Sequence, residues 1–473
     1  MRIHMHRFGT ALRVTVSVLA LLLLLGSCTP VSRPTDTTEA PTTEAAPPDS
    51  ESGTETSPLG ELSPPPEDSP LPVLSIVTDD GKPITSARTY KEATVTVTGA
   101  PYAHHNVTLR TEIRGRGHSS FDGKADQDEY ASKNSYRLKL ATKTNLLGIG
   151  ETADRDWVLI SGKYDVSALR NYLVWDLARR LGTIPYVPTC TWVNVYVNGD
   201  FRGMYSLVEK IEVASDRVDI DESACVNPDG VGYLLEYDLR GAYDTGAVQG
   251  LTYFYVPGLD ETFAWSIKSE IHSTEVTAAI RDHIITCNEA ILSGDRERME
   301  TYVDMASFVD MFILQEFSKN PDAGCSSFYM QRDAGGKLCL TAPWDFDFAL
   351  GSYSVSVPTS GLVADGEGVM SHPWFEFLTT QPWFMSLVLE RLEEIKPLVE
   401  ETLTEVRRMA VILEPAADQN DLRWNLYGEK FSVYPANQVS VDRISYDDHV
   451  DFLVEWADVR LKNLIKAVRK LAD

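Results

Sequence analysis

Polar and apolar residues alternate along much of the chain between residues 71 and 238, which is the pattern of half-buried β-strands. The alternating runs are rich in Val, Ile and Thr, and turn residues separate them. Two of the runs meet at Asn198-Gly199, a dipeptide typical of a two-residue hairpin turn. The pattern therefore predicts strands within 71–84, 92–100, 107–121, 132–142 and 232–238, and a β-hairpin over 191–212.

The strand within 132–142 separates two kinds of side chain. Tyr136, Leu138 and Leu140 alternate with polar residues and share one face, which we expect to be buried. The opposite face is predicted to carry the basic residues Lys133, Arg137 and Lys139.

A period of three to four residues replaces the alternation in the second half of the chain and predicts amphipathic helices. An earlier helix is predicted over 165–182, where Asp165 or Ser167 can cap the start and Gly182 can end it. A short acidic strand-turn unit, LCLTAPWDFDFALG at 338–351, interrupts the later helices. The later helices are predicted over 275–317, 382–413 and 449–472, and the whole order predicts an α+β fold.

The first 28 residues are typical of a targeting segment, because arginines precede a short apolar run that is too short to span a membrane. The run LGSC resembles the lipobox of bacterial lipoproteins, which implies that Cys28 carries lipid and becomes the mature N-terminus. An ordinary signal peptide is the alternative. We expect a lipid-anchored protein on the extracellular face of a bacterial membrane, with the membrane contacted through Cys28.

Residues 29–70 are rich in Thr, Pro, Glu and Ser and have few large apolar side chains. Such a segment cannot bury enough surface to offset its ordering entropy, so the sequence predicts a disordered linker. The folded region is predicted to cover 71–473. The net charge of −26 excludes nucleic-acid binding by phosphate neutralisation and favours metals, basic polypeptides or small molecules.

The cysteines outside the targeting segment form no CxxC motif and no cluster with histidine, so a zinc site is not expected. Their number is odd, and their spacing leaves both disulfides and buried free thiols open. They are Cys190, Cys225, Cys287, Cys325 and Cys339.

Two acids of the strand-turn unit, Asp345 and Asp347, stand in an apolar stretch where a buried carboxylate needs a partner or a metal. Asp322 lies just before the predicted strand that comes ahead of this unit in the chain. A hairpin between that strand and the strand of the unit would bring Asp322 and Asp345 to one edge. Mg²⁺ is usually held by one or two carboxylates together with phosphate oxygens. These acids therefore predict a cation site, although Asn320 to Gly324 are also ordinary turn residues.

The turn RGRGHSS offers backbone N–H groups and two guanidinium groups, which suit phosphate oxygens. Lys139 is a second candidate for an anion contact. A plain hairpin with exposed arginines and a solvated strand lysine are the alternatives.

Several motifs together resemble the CotH family, named after spore coat protein H, whose members have an atypical protein-kinase-like fold. In chain order they are IRGRGHSS, KNSYRLKL, LLG, DWVLISGKYDVSALRNYLVWDLARRLG, VNVYVNGDFRGMYSLVEKIE and APWDFDFALG. The resemblance covers residues 72–430. It implies a β-rich N-lobe, a mostly helical C-lobe, and transfer of a phosphoryl group from Mg-ATP, or Mn-ATP, to Ser or Thr of a protein substrate, a basic one being an option.

The resemblance also implies roles for individual residues. Asp322 matches the catalytic aspartate, Asp345 matches the metal-binding aspartate, and Asp347 supports that site or holds a second ion. Ser327 stands where a metal-binding Asn is expected. The residues implied to contact the nucleotide are Arg114, Gly115, Arg116 and Gly117 over the phosphates, Lys139 on the phosphates with Lys133 and Lys210 as competitors, and Glu209 as an ion-pair or adenine-edge residue.

Two other classes of function remain open at this point. A lipoprotein that faces the outside could keep the fold for binding alone, because ATP is doubtful there. A hydrolase that uses the carboxylates is the third class, but the chain has neither GxSxG nor HExxH.

Overall fold

The computed structural model describes residues 71–117, 119–122, 132–150, 153–222, 226–244, 246–270, 273–353, 355–365, 371–428 and 443–472. The predictions for Cys28, for the segments 1–28 and 29–70, and for Cys225 lie outside these ranges. Residues Pro64–Asp473 group into one compact unit.

The first seven strands close into a barrel in the order β1-β2-β3-β4-β5-β7-β6. All neighbours are antiparallel except β1 and β6, which pair in parallel and close the barrel. Closure leaves no open sheet edge between the first and last strands. The strands are β1 (Val73–Thr78), β2 (Lys91–Thr98), β3 (Thr108–Arg116), β4 (Ser135–Thr144), β5 (Asp154–Ile160), β6 (Cys190–Val197) and β7 (Asp200–Glu209).

The alternation in β4 places side chains as the pattern predicts. Tyr136, Leu138 and Leu140 are buried in the barrel core, each at most 1% exposed. The prediction for Lys133 was wrong, because this residue precedes the strand and is buried. Its ammonium group donates to the carbonyl oxygens of Ser161 and Met204, which replace its water.

The hairpin of β6 and β7 confirms the turn prediction. Asn198 and Gly199 have φ values of 50° and 87°, the left-handed conformation that Asn and Gly tolerate best. A register shift between Val195 and Tyr196 marks an irregularity in the ladder.

A second sheet has five strands in the order β12-β11-β8-β10-β9. The hairpin of β11 and β12 lies at one edge, and β8 pairs with both β11 and β10 although they lie far apart in the chain. The strands are β8 (Tyr233–Asp238), β9 (Tyr253–Phe254), β10 (Ala264–Ile267), β11 (Phe328–Arg332) and β12 (Cys339–Thr341).

Eight α-helices are present in the described part of the chain, and together with the two sheets they confirm the α+β class. They are α1 (Arg170–Leu181), α2 (Thr274–Leu292), α3 (Arg296–Tyr302), α4 (Met305–Ser318), α5 (Pro373–Leu378), α6 (Pro382–Glu394), α7 (Lys396–Trp424) and α8 (Tyr446–Ala472).

The helix bounds differ from the predicted ones, and polar side chains set several of them, although the helix that ends at Trp424 extends beyond the predicted end at 413. Helix α1 begins at Arg170, because Asp165 folds back and accepts from the Arg170 N–H group at 2.8 Å. The run predicted over 275–317 is three helices, and Asp295 and Asp304 cap the second and third. The run predicted over 382–413 breaks at Ile395, where Pro397 begins a new first turn.

Cys190, Cys287, Cys325 and Cys339 are free thiols. None of the helices in the described ranges has an apolar stretch of the length needed to cross a membrane.

Candidate functional site

A cleft of about 800 Å³ lies between the barrel and the five-stranded sheet. Its barrel side is basic, whereas its sheet side carries six acids together with Arg240 and Lys268 and is acidic on balance. The basic residues of the barrel side are Arg88, Arg114, Arg116, Arg137 and Lys210, and the acidic residues of the facing side are Glu236, Asp238, Asp244, Asp322, Asp345 and Asp347.

The turn that carries Asp322 follows helix α4. Asn320 folds back onto the helix end, since its Nδ2 donates to Gln315 Oε1 at 3.0 Å, and its Oδ1 accepts from the Asp322 N–H group at 3.0 Å. The Asp322 carbonyl then accepts from Cys325 and Ser326. These local bonds hold Asp322 at the cleft, half-buried.

The turn that carries Asp345 and Asp347 follows β12. Asp345 has a φ of 65°, a left-handed conformation that is costly for a residue with a side chain and is often found at functional sites. Asn171 of helix α1 grips this turn twice, because its Oδ1 accepts from the Phe346 N–H group at 2.9 Å and its Nδ2 donates to Asp347 Oδ1. The structure therefore brings Asp322, Asp345 and Asp347 to one cleft.

The two acids of the strand-turn unit differ in exposure, although both stand in one apolar stretch of the sequence. Asp347 is buried, whereas Asp345 is exposed to the cleft. Ser327, with a φ of 55°, lies beside them in the cleft, and its side chain favours the ionised form of Asp345.

Three carboxyl groups of the cleft, those of Asp322, Asp345 and Asp347, have raised pKa values. Burial, followed by the charge of Asp345, raises the pKa of Asp322 to about 6 and that of Asp347 to about 8. The pKa of Asp345 is also raised, first by desolvation, although the charges of Arg116 and Arg240 oppose the shift. A cation bound beside these carboxyl groups would favour their ionised forms and lower their pKa values.

The segment RGRGHSS turns later than predicted, because Arg114, Gly115 and Arg116 are the last residues of β3, and both of its glycines lie where a side chain would meet a neighbour. A Cβ at Gly115 would lie 2.0 Å from the Phe121 ring, and one at Gly117 would lie 2.0 Å from Ser120 Oγ. Arg114 and Arg116 project from the same face of β3 into the cleft, and Gly117 lines it as well. Gly115 does not line the cleft, because the position of its absent side chain is occupied by the Phe121 ring.

The two arginines are held by aromatic rings. The Arg116 guanidinium lies 5.4 Å from the centre of the Trp344 ring, and Arg114 lies 5.2 Å from that of Tyr90. Arg114 also donates to the carbonyl oxygen of Ala87. Both charges are thus placed before any ligand arrives.

A family model described as "CotH kinase protein" matches residues 113–464. The match spans well over half of the chain and contains every residue of the cleft from Arg114 to Phe348. The chain belongs to the CotH family. No curated protein matches it significantly.

Besides Gly115 and Lys133, two more residues that the resemblance singled out do not line the cleft of this CotH domain. Lys139 is exposed on the outer face of β4 and does not line the cleft. Glu209 is buried at the end of β7, where it accepts from the Thr189 N–H group at 2.8 Å. Arg137 and Lys210 supply positive charge at the cleft instead, and each is paired with a carboxylate, Arg137 with Asp156 and Lys210 with Glu212.

Sequence reasoning missed the charged residues at the ends of β8 and β10. Glu236 pairs with Lys268 at 2.7 Å, and Asp238 accepts from the Arg240 N–H group at 3.0 Å. The signal was present, because GYLLEYD places two acids two apart at the end of an apolar strand, as PWDFD does. No sequence signal pointed to Asn171.

The residues of the cleft fit a magnesium nucleotide. Within the described ranges, no three acidic, histidine or cysteine side chains already form a metal site. Mg²⁺ needs no such cage, because it is commonly bound by one or two carboxylates together with phosphate oxygens and water. Asp345, which is exposed to the cleft, and the acids beside it offer the carboxylates, and the facing arginines suit the phosphates.

Proposed function

We propose that this protein is a protein kinase that transfers the terminal phosphoryl group of ATP, with Mg²⁺ or Mn²⁺, to a Ser or Thr hydroxyl of a protein. The observation that carries the proposal is the convergence of Asp322 and Asp345, from two separate turns, opposite an arginine-lined wall in one cleft. Phosphoryl transfer depends mainly on positioning and charge neutralisation, and this cleft supplies both.

The residues would divide the work as follows. Asp322 would orient the acceptor hydroxyl and take its proton, which suits a carboxyl whose pKa of about 6 leaves it ionised at neutral pH. Arg114 and Arg116 would bind phosphate oxygens from the barrel side. Asp345, with Asp347 and Ser327 beside it, would hold the metal ion, which would neutralise phosphate charge when bound.

We further propose that the domain is displayed outside the cell on a lipid anchor at Cys28. The lipobox-like LGSC and the Thr/Pro-rich linker support this. The same location supports the second candidate function, a surface binding protein that keeps the fold without catalysis, because ATP is doubtful there. Nucleotide binding separates the two functions.

The test is a thermal-shift titration of ATP with Mg²⁺ or Mn²⁺, for the parent protein and for Asp345→Asn and Asp322→Asn. We expect a rise in Tm for the parent, no rise for Asp345→Asn, and a retained rise for Asp322→Asn without phosphate transfer to a basic Ser-rich peptide. Removing such a catalytic group typically costs roughly 100-fold or more in rate.

Asp176→Asn is the matched control, because Asp176 is a partly buried carboxylate on α1 that bonds Arg180 and Thr402 and does not line the cleft. It should keep the ligand-induced rise in Tm. A parent protein without any rise would refute the kinase proposal and leave the binding function.

A further inference from the structure

Arg240 is a charged residue of the cleft to which the proposed kinase function gives no role. It follows β8, and it lines the cleft together with Asp322 and Asp345. It lies near enough to both carboxylates for its charge to favour their ionised forms. Arg240 therefore lies among the acids of the cleft, and no ligand has yet been assigned to its guanidinium group.

The backbone fixes Arg240 over the turn that carries Asp322. The Leu239 N–H group donates to the Cys325 carbonyl at 2.8 Å, and Ser326 Oγ donates to Asp238 Oδ1 at 3.2 Å. The Arg240 N–H group in turn donates to Asp238 Oδ1 at 3.0 Å. These bonds join the end of β8 to the turn, so Arg240 and Asp322 hold a constant relation.

The guanidinium group itself is poorly satisfied. Its Nε is buried, has no hydrogen-bond partner within the ranges that the structure describes, and lies 4.0 Å from Asp238 Oδ1. Its Nη2 reaches Ser326 Oγ only at 3.5 Å. A guanidinium has five N–H donors in a planar fork that matches phosphate oxygens, so donors are left for a ligand in the cleft.

We propose that Arg240 is a further catalytic residue, whose guanidinium binds the phosphoryl group while it is transferred. The inference rests on the proposed kinase function. It also accounts for Ser327 at the position where a metal-binding Asn is expected, since a fixed arginine can supply positive charge that a second metal ion would otherwise bring.

The reaction balances with these groups. The acceptor hydroxyl oxygen forms the new bond to the terminal phosphorus, and its proton passes to the Asp322 carboxylate. The bond between that phosphorus and the bridging oxygen breaks, and its electron pair leaves with ADP. Arg240 stabilises the negative charge on the phosphoryl oxygens and is itself unchanged.

The test compares two ligands of the full-length protein, Mg-ADP and Mg-ADP with aluminium fluoride, which imitates the phosphoryl group in transfer. Binding is measured by calorimetry for the parent, Arg240→Met and Arg240→Lys. For Arg240→Met we expect the affinity for Mg-ADP to change by less than about threefold and that for the aluminium fluoride complex to fall roughly 100-fold. Lys keeps the charge but lacks the fork, so Arg240→Lys should fall between the two.

Arg180→Met is the matched control. The Arg180 side chain is 29% exposed, against 27% for Arg240, and it bonds Asp176 and Glu401 away from the cleft. It should bind both ligands as the parent does.

Each outcome is decisive. If Arg240→Met and Arg240→Lys lose the same affinity for both ligands, Arg240 is not specific to the transferred group and the inference is wrong. If neither affinity falls, the inference is wrong as well. If the parent binds no nucleotide, the kinase proposal fails and the inference fails with it.

Discussion

Arg460 and Glu316 form a buried ion pair that connects the last helix to the turn of the candidate catalytic aspartate. Arg460 lies in α8 and is 0% exposed, and Glu316 lies in the last turn of α4 and is 2% exposed. The Arg460 guanidinium donates to the carboxylate of Glu316 at 3.3 Å and to carbonyl oxygens of Glu316, Thr359 and Gly361. Asn320 and Asp322 lie four and six residues after Glu316, in the turn that follows helix α4.

Replacing Arg460 with Met keeps the apolar stem but leaves a buried carboxylate without its cation. Removing one partner of such a pair typically costs about 3–5 kcal/mol of unfolding free energy. Protonation sets a ceiling for the carboxylate, because about 3 pH units separate the ordinary Glu pKa from pH 7.5, at about 1.4 kcal/mol per unit. The lost bonds to the carbonyl oxygens add to this, and we expect a loss of about 3–5 kcal/mol.

The measurement is urea unfolding of the parent and of Arg460→Met, followed by circular dichroism, with the m-value compared to check that both unfold over the same surface. Arg469→Met is the control. It removes an ion pair of 2.7 Å to Glu393 on the surface, where the two side chains are 57% and 38% exposed, and it should cost less than about 1 kcal/mol.

A double variant tests the reason for the loss. Adding Glu316→Gln to Arg460→Met removes the unpaired charge and should recover part of the stability, since a neutral amide is less costly to bury than a carboxylate. If Arg460→Met costs no more than Arg469→Met, or if Glu316→Gln brings no recovery, the reasoning about the buried charge is refuted.

Three further predictions concern single residues. Asn171→Leu removes both bonds to the turn of Asp347, so the Phe346 amide should exchange its hydrogen faster and the Mg²⁺ concentration for half-maximal ATP-dependent stabilisation should rise about 10–100-fold; unchanged exchange would contradict this. His283 Nδ1 lies 2.7 Å from the Tyr233 hydroxyl oxygen, and burial lowers the pKa of His283 to about 3, so the unfolded chain binds more protons below pH 6.5 and stability falls as the pH falls. Between pH 6.5 and 4.5 the parent should lose about 2.3 kcal/mol more than His283→Gln in urea unfolding, and equal losses would exclude the shift. Burial lowers the pKa of Lys133 to about 7, so its contribution to stability falls as the pH drops from about 10.5 to 7, and Lys133→Met should flatten that part of the stability profile measured by thermal melts.

Local patterns predicted much of the barrel. The alternation of β4 reported which side chains are buried, and Asn198-Gly199 located the turn between β6 and β7. Both signals work because a strand has a fixed period of two and a tight turn has strict backbone demands. Helix ends were less predictable, because the Asp165 side chain competes with the helix for the Arg170 N–H group.

The candidate site was predictable only where its residues are close in sequence. Asp322 and Asp345 are linked by the hairpin of β11 and β12, so their convergence could be expected. Asn171, Glu236 and Arg240 could not be placed there, since nothing local indicates that α1 and β8 border the same cleft.

The periods, the turns and the hairpin between the two acids are readable from the sequence, because they depend on backbone preferences over a few residues. Which distant elements meet depends instead on the folding of the whole chain. The parallel pairing of β1 with β6 closes the barrel, and the pairing of β8 with β11 carries Glu236, Asp238 and Arg240 to the turn of Asp322. Such pairings depend on burial summed over the whole chain. The basic and acidic walls of the cleft therefore come to face each other only in the folded protein.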